Sequence, residues 1–247
     1  MNIGTADCDV TFNGAANQTI SGAGATTDFN RITVSNTGAA NNNIVEILPT
    51  NFTAAAGFLT LTRGIIKMSG SYTFTNTFFN TANPSINSDE GIWLNNANVT
   101  VTGQGGDTYL YGLIRISAGT YNIGNAADWW LWYQNGAILT IEGGALNVAG
   151  AITSYAVGGF VASITYTQNG GTVTVNTAGN SLAVASFEIW ETGSVFNMSG
   201  GTIVLQRLGD VLTDYINFST NATVTGGTLQ VGNASSPVPT FNYWINS

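Results

Sequence analysis

The 247-residue chain has no histidine and one cysteine, Cys8. Without an imidazole, every Ser-His-Asp or Cys-His nucleophile and every His-ligated metal site is excluded. A lone cysteine closes no internal disulfide and has no companion with which to hold zinc. Charge is scarce too: 7% of residues are charged, five basic against thirteen acidic, for a formal charge of −8. A helical protein would need far more Lys, Glu and Arg on its solvated faces. The acidic balance repels phosphate backbones and anionic lipid, so nucleic acid is not an expected partner. No stretch approaches the ~20 consecutive apolar residues of a membrane helix, so no membrane insertion is expected. Met1-Asn2-Ile3-Gly4 has neither the basic nor the hydrophobic region of a signal peptide. Either the protein stays inside the cell or this is a mature segment given a start codon, and the composition favours the second.

What is abundant is glycine, 31 residues, together with Thr and Asn. Thr-rich sequence punctuated by Gly reads as β structure with many turns. Seven segments superimpose: FLTLTRGIIKM, GIWLNNANVTV, LIRISAGTYNI, ILTIEGGALNV, TYTQNGGTVTV, VFNMSGGTIVL and ATVTGGTLQV. Anchored at Gly64, Ala97, Gly119, Gly144, Gly171, Gly201 and Gly227, they recur about every 27 residues. Positions five and three before each anchor, and two and four after it, are apolar with the exception of Gln168. The positions between them are mostly Thr, Asn, Ser, Glu and Gln, the alternation of a half-buried strand.

Two short strands meeting at a bend cannot close a core within one repeat, whereas stacking each repeat on the next can. The expected fold is therefore an all-β, right-handed parallel β-helix (β-solenoid) of about nine coils of roughly 27 residues, its hand following crossover chirality. Residues 1–57 would hold two degenerate coils, 58–232 the regular coils and 233–247 a truncated end. A β-sandwich, the competing fold, predicts antiparallel hairpins without a fixed anchor.

TFNGAANQTISGAGATTDFNRITVSNTG, followed by units such as ITYTQNGGTVTVNTAGN and VFNMSGGTIVL, resembles the repeat regions of very large surface and secreted proteins of Bacteroidota. Those proteins typically end in a type IX secretion sorting domain. The resemblance covers most of the chain and implies an extracellular, adhesin-like or scaffold-like parent. The end, SSPVPTFNYWINS, reads as a cut in mid-array, so an excised segment is expected.

Polysaccharide lyases and hydrolases also occur on β-helices, so the fold alone does not decide activity. Glycoside hydrolysis needs two carboxyls at controlled separation, and the candidates are Asp89-Glu90, Glu142, Glu188, Glu191, Asp210 and Asp214. Glu142 reads as outward on one arm and Glu188 and Glu191 as lying on another, so they are not expected to converge. Arg31, Arg63, Lys67, Arg115 and Arg207 look scattered. Calcium at residues 87–91 or 207–214 is a minor alternative, because neither stretch has the spacing of a calcium loop. Thr172, Thr202 and Thr228 form one outward column, continued by Ile65, Asn98, Thr120 and Ala145. That face is too irregular to template ordered water, and its threonines reflect β propensity.

The aromatics cluster in DWWLWYQNG, residues 128–136. Aligned on the anchors, Leu131 falls opposite Glu188, Trp132 opposite Ile189 and Tyr133 opposite Trp190. Tyr109, Tyr111, Phe160, Phe187, Tyr215 and Phe218 lie on the same arm, which makes an aromatic strip. Side chains alternate along a strand, so Trp130 and Trp132 share one face, Trp129, Leu131 and Tyr133 the other, and at least two rings point outward. These are expected to lie beneath a loop, residues 88–94 or 156–163, or against another part of the parent protein; to form a stacking platform for a polysaccharide; or to self-associate. The expected binding residues are Trp129, Trp130, Trp132, Tyr133, Gln134, Glu188, Trp190 and Glu191. The first expectation for function is a non-enzymatic rod of a bacterial surface protein, in adhesion or cell-surface architecture. A carbohydrate-binding module is the second, and a polysaccharide-degrading enzyme the third. No metal or cofactor is expected, and self-association through exposed coil ends is.

Overall fold

The computed structural model describes residues 8–22, 27–74, 78–103, 105–155, 162–180, 185–206, 215–218, 221–232 and 244–246. One turn in mid-chain shows the plan. The backbone runs through three short strands, Leu131–Tyr133, Ala137–Ile141 and Ala145–Val148, which form the first, second and third arms of the cross-section. Each arm lies between its equivalents in the turns before and after. Leu131–Tyr133 sits between Thr108–Leu110 and Ile152–Ser154. The other two arms both sit between the long strands Leu113–Ile123 and Ile164–Val175, each of which runs through one bend.

Every pairing among the described residues is parallel. That disposes of a sandwich of hairpins. The chain is an all-β parallel β-solenoid of about seven turns spaced by about 26 residues. Upstream of Leu59, two rungs of shorter strands extend the ladders: Asp9–Phe12 with Gln18–Ile20, then Arg31–Ser35 with Ile44–Ile47. Near the other end, Trp244–Asn246 pairs with Tyr215–Phe218 on the first arm.

The core is a set of axial columns. On the second arm, Ile20, Ile47, Met68, Leu94, Ile116, Ile141, Gln168 and Met198 follow one another in register, and all are buried. In the earliest turns the filling is aromatic: Phe52, Phe58, Tyr72, Phe74 and Phe78 pack ring on ring at 5.2–5.9 Å. Gln168, the polar member of its column, is satisfied where it lies. It accepts from the Tyr166 hydroxyl at 2.6 Å and donates toward the carbonyls of Gly170, Gly171 and Thr202 at 3.2–3.4 Å. A buried amide is tolerated on those terms.

Glycine at the bend between the second and third arms answers to two demands at once. Gly144, Gly171 and Gly201 have φ of 64°, 64° and 79°, a region that side-chain-bearing residues enter at a cost. Each bend also nests on the one before: a Cβ at Gly144 would meet the Gly119 carbonyl oxygen at 2.2 Å.

The structure corrects one of the seven anchors. Six of them lie between the second and third arms, but Gly64 pairs with Glu90 and Ile66 with Ile92, so Gly64 marks the bend between the first and second arms. Any two successive arms present the same in–out alternation around a bend. The segment at Gly64 therefore superimposes equally well one arm out of phase.

Candidate functional site on the first arm

Along Leu131–Tyr133 the burial alternates: Leu131 and Tyr133 are fully buried and Trp132 is half-buried and outward. Leu131 stacks on Ile152, which stacks on Phe187; Trp132 stacks on Thr153. The equivalent of Trp132 is therefore Glu188, one residue away from the anchor-based alignment. The cause is corner length. Tyr133 precedes Gly144 by eleven positions, whereas Ile189 precedes Gly201 by twelve.

The column that carries Trp132 reads Ser85, Tyr109, Trp132, Thr153, Glu188 and Asn217; within it Thr153 and Asn217 are covered, 2% and 8% accessible. Tyr155 stands beside it and touches two rungs, meeting Tyr109 and Trp132 edge-on with ring centroids 5.3 Å away in each case. Beyond the rings the column becomes polar. The Thr153 hydroxyl donates to one Glu188 carboxylate oxygen, and Asn217 Nδ2 donates to the other at 3.2 Å. Ser154 donates to Glu191 at 2.9 Å. Burial pushes the Glu188 carboxyl above its ordinary range, against those two hydrogen bonds, and the charge of Glu191 acts in the same upward direction.

The eight residues expected to bind divide by position. Trp132, Glu188 and Glu191 come together on this face, and Trp190 follows as an exposed ring, 49% accessible. Tyr133 is interior, and burial raises its phenol well above the ordinary value. Trp130 is not an outward ring as alternation implied. It precedes the strand, at the corner, with 2% of its surface accessible, packed against Gly150 and at 4.5 Å from the Trp132 ring. Its backbone is pinned there, donating to Asp107 Oδ1 at 2.8 Å and accepting from Thr108 at 2.9 Å. Trp129 lies at the same corner, half-buried against Gly124, its carbonyl accepting from Gly150. Gln134 is buried at the next corner, its Nε2 without an acceptor among the described residues. One large ring of the DWWLWY stretch, Trp132, therefore reaches the surface strip, where alternation called for at least two.

The sequence reading missed Tyr155, and nothing in the local pattern marks it, because its role comes from packing between rungs. It also missed a second cluster. On the outer face of the second arm Glu46, Lys67, Trp93 and Arg115 are register neighbours. Lys67 Nζ lies 4.3 Å and Arg115 Cζ 4.1 Å from the Trp93 ring centroid, from the rungs on either side. Lys67 pairs with Glu46 at 2.8 Å, and Arg115 binds Glu142 through two nitrogens at 2.7 and 3.1 Å. Ser117 accepts from Trp93 Nε1 at 2.8 Å and donates to Glu142. The cations are thus not all scattered, and residues 88–94 are not a loop over the strip: Glu90–Thr102 is a strand.

The acidic candidates are engaged separately. Asp89 lies 3.7 Å from Arg63, while Glu90 folds back to accept from the backbone and side-chain nitrogens of Asn87. Glu142 is on the second arm with Arg115, Glu188 and Glu191 on the first. Residues 207–214, with Arg207, Asp210 and Asp214, lie outside the described residues, as do residues 156–161 with Phe160. The register also revises the threonine column, which runs Thr73, Thr100, Thr120, Ala145, Thr172, Thr202 and Thr228 rather than through Asn98 and Ile65. The neighbouring column is mixed: Thr102, Asn122, Asn147, Thr174, Val204 and Gln230.

Set beside known proteins, the chain matches no family model, no curated protein and no solved structure.

Proposed function

We propose that the chain is a segment of a non-enzymatic rod at a bacterial cell surface, serving adhesion or surface architecture. The observation that carries this reading is the axial tie across the second arm. Glu46, Lys67, Trp93, Arg115 and Glu142 join successive rungs through charge-assisted hydrogen bonds and cation–π contacts. Two of the five cations and two carboxylates are thereby spent on fastening turn to turn. The composition and the resemblance to Bacteroidota repeat regions point to an extracellular setting. Cells or cell-wall fragments that adhere to beads carrying the chain, with no reducing ends released from a polysaccharide panel, are the expected result. Release of reducing ends by the purified chain would overturn it.

A second reading is favoured by a specific arrangement, the Tyr109–Trp132–Tyr155 rings beside Glu188 and Glu191. Aromatic faces suit the apolar faces of sugars, and flanking carboxylates and hydroxyls suit their hydroxyl groups. On this reading the rod also binds carbohydrate through its first arm. Tryptophan fluorescence titrations with soluble glycans test it: Trp132→Ala abolishes the response while Trp93→Leu keeps it.

A further inference from the structure

We infer that the first-arm face takes a linear, uncharged polysaccharide laid along the solenoid axis, with a groove beside Ser85 holding one end of the bound stretch. This rests on the carbohydrate reading above. The rings on this face follow one another along the axis, Tyr109 and then Trp132, with Tyr155 against both. From Ser85 through Tyr109 and Trp132, and past the buried Thr153, to Glu188 there are four rung steps, roughly 19 Å at about 4.8 Å each. That is the length of a short oligosaccharide, and a compact monosaccharide site would not need it.

The groove arises from a fault in the ladder. Between Leu59–Met68 and Thr108–Leu110 the first arm, among the described residues, is reduced to a bridge between Leu59 and Phe79 and the two-residue strand Ser85–Ile86. The gap leaves a depression of about 200 Å³, lined by Leu61, Phe79, Asn80, Thr81, Pro84 and Ser85 among others. Ring and aliphatic walls with an amide and hydroxyls on the rim are the mixture a sugar requires. Ser85 belongs both to the groove and to the column that carries Trp132, so the two are continuous.

Charge selects the ligand class. Glu188 lies in the column and Glu191 close by, and the column's named members include no cation; Lys67 and Arg115 are committed to Glu46 and Glu142 on another arm. A uronate polymer would meet carboxylates on a chain of net charge −8, whereas neutral hydroxyls can donate to them.

Calorimetric titration of the whole chain with cello-, xylo- and manno-oligosaccharides, from disaccharide to octasaccharide, and with oligogalacturonates, tests this. For at least one neutral series affinity rises with length and levels off once the column is spanned. Trp132→Ala weakens every length about tenfold or more. Thr81→Trp, which fills the groove, weakens the long members and leaves the short ones unchanged; melting curves confirm that both variants fold. Length-independent binding, or preference for oligogalacturonates, would overturn the axial, uncharged ligand and leave the carbohydrate reading standing. Binding to neither class by the folded chain would remove both. A shift in sedimentation on Trp132→Ala without glycan binding would assign the face to a second copy of the chain.

Discussion

Arg115 lies with its guanidinium carbon 4.1 Å from the centroid of Trp93 while two of its nitrogens hold Glu142. One side chain thus links three successive rungs of the second arm. A partly exposed cation–π contact is worth ~0.5–1 kcal/mol, and Lys67 makes a second one on the same ring. Trp93→Leu should therefore cost about 1–2 kcal/mol beyond lost area, whereas the double variant with Arg115→Met should cost less than the sum of the two singles. Denaturant unfolding of the four proteins in the cycle measures the coupling, and additive losses would deny it.

Stability should fall on both sides of the ordinary carboxylate value of 4.5. Hydrogen bonds from Arg115 hold Glu142 low against its burial; burial of Glu46 is outweighed by its bonds to Lys67 and Ser69. A depressed pKa stabilises the fold above the unfolded value, and that contribution is lost as pH drops through the folded one. Glu90 and Glu188 go the other way, each raised chiefly by burial. Their contribution is full below the unfolded value and lost as pH rises through the folded one. Glu90→Gln should flatten the high-pH limb and spare the low-pH limb, and a melting-temperature series across pH reads both.

Gly144→Ala should destabilise far more than Gly136→Ala, although both positions have positive φ. The left-handed conformation alone costs about 1–2 kcal/mol, and Gly136 has nothing within 4 Å of an added Cβ. At Gly144 the added carbon would overlap the preceding turn. The difference between their unfolding free energies isolates the nesting of one bend on the next.

Gln168→Met should be destabilising despite making the column wholly apolar, because it strips the Tyr166 hydroxyl and three carbonyls of a partner. An orphaned buried polar group costs about 1–3 kcal/mol. Adding Tyr166→Phe should recover part of the loss, and failure to recover any would show that the hydroxyl finds another acceptor.

Trp130→Ala should lower stability by ~3–5 kcal/mol, the usual cost of emptying a buried tryptophan site. Trp132→Ala, whose ring is half-buried, should lower it less. Equal losses would mean that both rings are structural.

The repeat was legible because alternation and glycine bends are local properties of the chain. At Gly64 the same locality misled, since a bend between any two arms carries the same pattern and only the pairing of Ile66 with Ile92 fixes which arm follows. The candidate face was legible in composition, through Trp132, Glu188 and Glu191, but not in register. One extra residue in the corner after Ile189 moves Glu188 opposite Trp132. Tyr155, Trp93 and Arg115 acquire their roles from neighbours 22 or more residues away, and a single strand pattern does not encode such contacts.

The inter-rung hydrogen bonds of this stack point along its axis. A pull along that axis loads the rungs in series, and whichever is weakest yields first while its neighbours hold. Each turn of about 26 residues that peels away releases on the order of 90 Å of chain, about twenty times the thickness of the rung it leaves. A filament so built gives way in instalments, lengthening under load where a bundle held by lateral packing would snap.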